Sequence, residues 1–309
     1  MFKKILVPLD GFQAAEQALV VAGALARAEA AHLLLLRSVR SSYAPAPVDA
    51  TLTTEFDWSL LPSVEPGRQR EAQAYLAAIA RRHECVGCAV RTRVEEGDAA
   101  SVIVDTATAE AVDLIVMSDQ RRTGMRVGNV TERVLHSVAC PVLLTRTAAP
   151  IRRVLIALDG SPLGERALPP ALAVARALGA QVVLLRISDI LPLNPLETGL
   201  MWEWEPVPSD RQTMDQLRQE AEAYLREAAA RHGLASDEAQ MLVLDGAPAD
   251  RIQEYARLSA IDLIAMSTHG RTGLRRWLYG SVTAKVMHGT DRAMLIVRPP
   301  AETLREGGQ

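Results

Sequence analysis

The residues best suited to chemistry lie in one segment, Met266-Ser267-Thr268-His269-Gly270-Arg271-Thr272-Gly273-Leu274-Arg275-Arg276-Trp277-Leu278-Tyr279-Gly280-Ser281-Val282-Thr283. Gly270 and Gly273 let the backbone turn tightly and bring its N–H groups close to an anion. Gly280-Ser281 opens a predicted helix, whose first N–H groups lack intrahelical acceptors and whose dipole favours a phosphate. Ser281 and Thr283 carry hydroxyls, and Arg271, Arg275 and Arg276 place positive charge nearby. His269 has the chemistry of a general base, but no nucleophile or orienting acid stands near it in sequence. It is read as part of the loop, and no catalytic residue is assigned.

The chain supplies its own comparison. Ile5-Leu6-Val7-Pro8-Leu9-Asp10-Gly11 recurs 149 residues later as Val154-Leu155-Ile156-Ala157-Leu158-Asp159-Gly160. The same spacing returns at Gly97/Gly246, Asp113/Asp262 and Met117/Met266. A repeat this long divides the 309 residues into two domains of ordinary size, 1–148 and 149–309. The first copy of the loop begins Met117-Ser118-Asp119-Gln120-Arg121 and ends Gly128-Asn129-Val130-Thr131. Arg121 stands where Gly270 stands, Asn129 replaces Ser281, and the span between them is three residues shorter. Asp119 brings negative charge to the place of a phosphate. One phosphate site is therefore expected, in the second half, beside a degenerate loop in the first.

These loops need strands and helices to position them. Short apolar runs over 4–9, 32–39, 113–118 and 141–146 read as buried strands, and 88–95 alternates like an outer strand. Helical spacing covers 14–29, 67–83, 99–110 and 128–138. In the second half, strands fall near 152–158, 181–187, 240–244, 262–267 and 293–298. Strands alternating with helices imply an α/β fold with parallel sheets covered on both faces. Right-handed crossovers then give two tandem, doubly wound, five-stranded domains, each in the order 3-2-1-4-5. Ligands bind such sheets at the carboxyl ends of strands where the order reverses, between strands 1 and 4. That places Asp10 and Ser118 at the first switch point, and Asp159 and Ser267 at the second. Asp10 and Asp159 are also candidate N-caps for the helices that follow.

Composition excludes several classes. A net charge of −3 gives no electrostatic case for nucleic acid or an anionic membrane. No run of 18 uncharged apolar residues exists to span a bilayer, and the N-terminus lacks the apolar core of a signal peptide. Three cysteines are too few for a disulfide scaffold, which points to the reducing cytosol. No G-x-G-x-x-G follows either first strand, which disfavours a dehydrogenase, and no G-x-x-x-x-G-K-[ST] is present for a P-loop NTPase.

Over essentially all of both halves the chain resembles a tandem member of the universal stress protein family. The family motif after strand 4 is G-x2-G-x9-G-[S/T]. Gly270 and Gly280-Ser281 match it at the required spacing, and Ser267 replaces the first glycine. The resemblance implies an adenine nucleotide alpha hydrolase-like fold that binds ATP, with Mg²⁺, in the second domain. It implies that Ala157 and Asp159 lie by the nucleotide and that Ile187 and Met266 contact adenine. Gly270, Gly280, Ser281, Val282 and Thr283 would cradle the phosphates, beside Ser267. Asp159 would face the ribose or a phosphate-bound Mg²⁺. The two halves are expected to form an internal pseudo-dimer by antiparallel pairing of Val142–Thr145 with the strand near 294–297, with room for a further homodimer. The function implied is that of a cytoplasmic, nucleotide-dependent stress-response or regulatory protein. The alternatives are a slow ATPase or autophosphorylating enzyme at the same loop, and an interaction protein that needs no nucleotide.

Two other features invite functional readings. Cys85-Val86-Gly87-Cys88 follows His83, but it joins a helix end to an outer strand and has no counterpart in the second half. A redox or zinc role is therefore set aside. Trp202 and Trp204 lie in a Pro-rich insertion after the second strand of the second half and are read as packing residues.

Overall fold

The computed structural model describes residues 1–39, 66–84, 89–119, 129–188, 211–235, 237–268 and 280–298. The first half runs β1 (Lys4–Pro8), α1 (Gln13–Glu16), α2 (Ala18–Glu29), β2 (His32–Val39), α3 (Pro66–Glu84), β3 (Ala89–Glu96), α4 (Ala99–Ala109), β4 (Leu114–Ser118), α5 (Asn129–Ser137) and β5 (Val142–Thr145). The second runs β6 (Arg153–Leu158), α6 (Pro162–Glu165), α7 (Leu168–Leu178), β7 (Gln181–Ser188), α8 (Arg211–Arg231), β8 (Ala239–Asp245), α9 (Pro248–Leu258), β9 (Leu263–Ser267), α10 (Ser281–Gly289) and β10 (Ala293–Val297).

The helix expected over 14–29 is two pieces, α1 and α2, and its counterpart divides likewise into α6 and α7. In the second half the cause is local. Pro169 and Pro170 have no N–H to donate into the preceding turn. In the first half the chain tightens instead, and Val20 N donates to Gln17 O three residues back.

Within each half the strands are parallel, in the order 3-2-1-4-5. The halves join through β5 and β10, giving a ten-stranded sheet in the order β3-β2-β1-β4-β5-β10-β9-β6-β7-β8. β5 and β10 pair antiparallel, with Val142 opposite Ile296, Leu143 opposite Leu295 and Leu144 opposite Met294. The pairing removes two apolar edges that would otherwise template association. The outer strands β3 and β8 are more exposed, and β3 carries Arg91, Arg93, Glu95 and Glu96.

Each face of the sheet has its own core, and each core runs through both halves. Leu33, Val116, Leu143, Ile156 and Leu295 face α2, α3, α7 and α8. Leu34, Met117, Leu144, Leu155 and Met294 face α4, α5, α9 and α10. Asp113 and Asp262, which marked the repeat in sequence, hold the first strand of each half in place. Asp113 Oδ2 accepts from the N–H groups of Lys3 and Lys4 at 2.8 and 2.9 Å, and Asp262 Oδ2 from those of Arg152 and Arg153 at the same distances.

Candidate functional site

Strand alternation decides which side chains meet. Ala157 near the end of β6, Ile187 in β7 and Met266 in β9 all pack on the face covered by α9 and α10. They come from the carboxyl ends of three strands around the switch point between β6 and β9, where an open α/β sheet takes its ligand. Ala157 and Ile187 are partly exposed, and Met266 is buried. Together they make an apolar wall at the mouth of this face.

The first turn of α10 closes the same corner. Gly280 is its N-cap and contributes no side-chain bond to the helix start. The N–H groups of Ser281, Val282 and Thr283 therefore have no intrahelical acceptor and suit an anion. Gly280 N donates to Thr268 O at 2.6 Å, which draws the helix start against the end of β9. A Cβ at Gly280 would stand 3.1 Å from Thr268 O, so any larger residue would have to push the two segments a few tenths of an ångström apart. The buried Thr283 hydroxyl donates to Ser267 O at 2.8 Å. What Thr283 offers a ligand is thus its backbone N–H, while the exposed Ser281 keeps its hydroxyl at the surface.

Asp159 sits in a turn after β6. Its Oδ1 accepts from Ser161 N at 3.0 Å and from Ser161 Oγ at 2.7 Å. Ser161, not Asp159, is the N-cap of α6, its hydroxyl accepting from Gly164 N at 3.0 Å. In the first half Phe12 takes that place, and Asp10 accepts from Phe12 N at 2.9 Å. Neither aspartate is therefore the N-cap expected from sequence; each orders the turn before the helix. The halves differ beneath this carboxylate. A Cβ at Gly164 would collide with Asp159 Oδ1, and the first half has Ala15 at the matching position.

Where the second half has Thr268, the first has Asp119. Its carboxylate is only 4% exposed and lies 3.6 Å from Arg146 Nη2, itself 8% exposed. The negative charge expected at the first loop is thus buried and paired inside the protein.

A model of the universal stress protein family matches the chain twice, over residues 1–146 and 150–298. The chain belongs to the universal stress protein family. A universal stress protein of Methanocaldococcus jannaschii is 30% identical over 149 residues, covering 48% of this chain and 83% of that protein. One from Mycolicibacterium smegmatis is 25% identical over 228 residues, covering 70% of this chain and 71% of its own length. The crystal structure of a putative universal stress protein from Pseudomonas aeruginosa superposes with a TM-score of 0.68 at 20% identity, covering 98% of this chain and 95% of that one. Both halves thus carry the adenine nucleotide alpha hydrolase-like fold of the family, in tandem.

At the position of the first motif glycine, Ser267 ends β9. It pairs in register with Val297, whose side chain packs on the opposite face from Met266. The serine side chain therefore points away from the wall that Met266 forms. Its hydroxyl is buried without a hydrogen-bond partner among the described residues, and so is that of Ser118 in the first half. Gly270, Gly273, His269 and the arginines 271, 275 and 276 lie outside the described residues, as do Arg121, Gly128, Cys85, Cys88, Trp202 and Trp204. Among the described residues no group of three or more His, Cys, Asp or Glu gathers to hold a metal ion. No described helix is long and apolar enough to cross a membrane.

Sequence reasoning missed a cluster behind the Asp-Gly turns. Arg186 lies over the Tyr224 ring at 4.7 Å and Arg37 over the Tyr75 ring at 5.1 Å. Tyr75 donates to Glu16 at 3.1 Å, and burial with the Glu16 charge raises the phenol's pKa well above the usual range. Arg231 pairs with Glu165 at 2.8 Å as Arg82 does with Glu16 at 3.5 Å. Gly160, at φ +87°, packs against the Arg186 guanidinium, which a Cβ there would meet at 3.0 Å. Every member recurs at the 149-residue spacing, so the signal was available in the repeat. Because both halves keep this cluster, its role is one that both share, which is anchoring α3 and α8 to the sheet.

Proposed function

We propose that the protein is a cytoplasmic, nucleotide-dependent regulatory protein of the stress response that binds ATP, with Mg²⁺, in its second half. The observation that carries this is the meeting of an apolar wall with an open helix start at one switch point. Ala157, Ile187 and Met266 would take the adenine ring. The N–H groups of Ser281, Val282 and Thr283, with the Ser281 hydroxyl and Gly270, would take the phosphates. Asp159, held by Ser161, would face the ribose or a phosphate-bound Mg²⁺. The first half supports the assignment by contrast, since it buries Asp119 at the equivalent position and lacks both Gly270 and Ser281.

Calorimetric titration with ATP and Mg²⁺ tests the proposal directly. Gly280→Asp places a carboxylate on the same amides and is expected to weaken binding by ~10-fold or more, about 1.4 kcal/mol. Gly128→Asp, the same change in the first half, is expected to leave affinity unaltered. Wild-type protein that gives no binding heat, or equal losses in the two variants, overturns the assignment. Retention of a labelled γ-phosphate on the bound nucleotide separates binding from hydrolysis.

A further inference from the structure

Arg146 follows β5 and projects on the face where α10 lies. It crosses the junction between the halves. Its Nη2 donates to Met287 O at 2.9 Å, and its Nη1 donates to Thr290 O, at the carboxyl end of α10. These carbonyls end a helix and carry the negative pole of its dipole, so a buried guanidinium satisfies both their charge and their hydrogen bonding. The nine residues of α10 span ~13 Å, from the amides proposed to face phosphate to the carbonyls held by Arg146. Asp119, at the start of the first half's degenerate loop, braces the guanidinium from behind. The arrangement is reciprocal. Arg298, at the equivalent place after β10, donates to His136 O at the end of α5. Of the two helices, α10 opens with the glycine–serine start and α5 does not, and of the two arginines Arg146 lies beside an aspartate while Arg298 has Thr268 where Asp119 stands.

We propose that Arg146, braced by Asp119, is a positioning residue through which the first half sets α10 and thereby the phosphate-binding amides of the second. The proposal rests on the ATP site described above. It gives the degenerate half a role: its loop no longer holds an anion of its own, but its aspartate steadies the arm that holds the intact site. Linkage makes the coupling reciprocal, so nucleotide bound at the start of α10 tightens the contact between the halves at its end.

Full-length protein is compared as wild type, Arg146→Met, Arg146→Lys, Asp119→Asn and Lys4→Met. Lys4 pairs with Glu110 in the first half, away from α10, and serves as a control for general destabilisation. Hydrogen exchange of α10 amides is measured without nucleotide, and ATP affinity by calorimetry. Arg146→Met is expected to speed α10 exchange beyond the change in the rest of the sheet and to weaken ATP by ~5-fold or more. Arg146→Lys restores part of both effects, and Asp119→Asn gives an intermediate loss of both. Lys4→Met lowers the melting temperature with neither. Should Arg146→Met fail to fold, the Lys and Asn variants carry the same comparison. An α10 exchange rate that merely follows global stability overturns the proposal, and so does faster exchange with unchanged affinity. If wild type binds no ATP, it is the site assignment that fails, and α10 exchange alone then decides whether Arg146 holds the helix.

Discussion

At the scale of the residue, single side chains separate two halves that share a backbone plan. His136 lies in the last turn of α5, and its carbonyl accepts from Arg298. Burial holds its imidazole below the ordinary histidine value; Arg298 acts in the same direction, and Glu132 at 3.9 Å opposes it. The folded protein thus keeps His136 neutral where the unfolded chain takes up a proton. Stability is expected to fall as pH drops through about 6.5, and this contribution levels off once the folded-state imidazole also protonates. Denaturant unfolding at pH 7.5 and 5.5 should show a shallower loss in His136→Gln than in wild type; equal losses would remove His136 as the source. Much of the candidate site was legible at this scale. Ala157, Ile187 and Met266 share a face because strand periodicity is 2, and Gly280-Ser281 opens a helix because of where the glycine falls. Arg146 was not legible, because its partners Met287 and Thr290 lie more than 140 residues away and are backbone carbonyls, which sequence does not distinguish. The helix cap read at Asp159 was misplaced by two residues. An aspartate that orders a turn and one that caps a helix look alike until Ser161 is seen to take the cap.

At the scale of the element, each half is a template for repairing the other. Asp98 caps α4, its carboxylate accepting from Ser101 N at 3.1 Å and pairing with Arg133 at 2.8 Å. The Arg133 guanidinium and the Ser101 N–H hold its pKa down at about 2. The equivalent residue before α9 is Ala247, which has no capping side chain although its backbone (φ −66°, ψ 121°) closely matches that of Asp98 (φ −68°, ψ 131°). Ala247→Ser is expected to stabilise the protein by about 1 kcal/mol through a hydroxyl facing the free amides of α9. A thermal melt checks this, and an unchanged or lower midpoint would show that Pro248 leaves no amide in reach. Most element boundaries were legible because apolar runs and helical spacing act locally. The break between α1 and α2 was not, since Gln13–Glu29 contains no proline and its spacing reads as one continuous helix. The same break was encoded in the second half by Pro169 and Pro170, where the repeat could have revealed it.

At the scale of the whole molecule, the halves are joined by more than a linker. Leu143 and Leu295 face each other in the β5–β10 pair and are both fully buried. α2 and α7 pack on one another across the junction, while Arg146 and Arg298 cross it on the opposite face. Each core layer contains residues of both halves, so neither half can open without exposing apolar surface of the other. Unfolding is therefore expected to be one cooperative transition rather than two. Leu143→Ala removes packing at the seam and should cost ~2–5 kcal/mol. Because the loss falls on the shared layer, hydrogen exchange should quicken in β6 and β9 of the second half as well as in β1 and β4 of the first. Scanning calorimetry should show a single endotherm, shifted downward without splitting. Two endotherms in wild type, or faster exchange confined to the first half, would mean that the seam transmits nothing. The β5–β10 pairing argues otherwise: β10 also pairs with β9, the strand that carries Met266 and Ser267, so a loosened seam lies one strand from the candidate site.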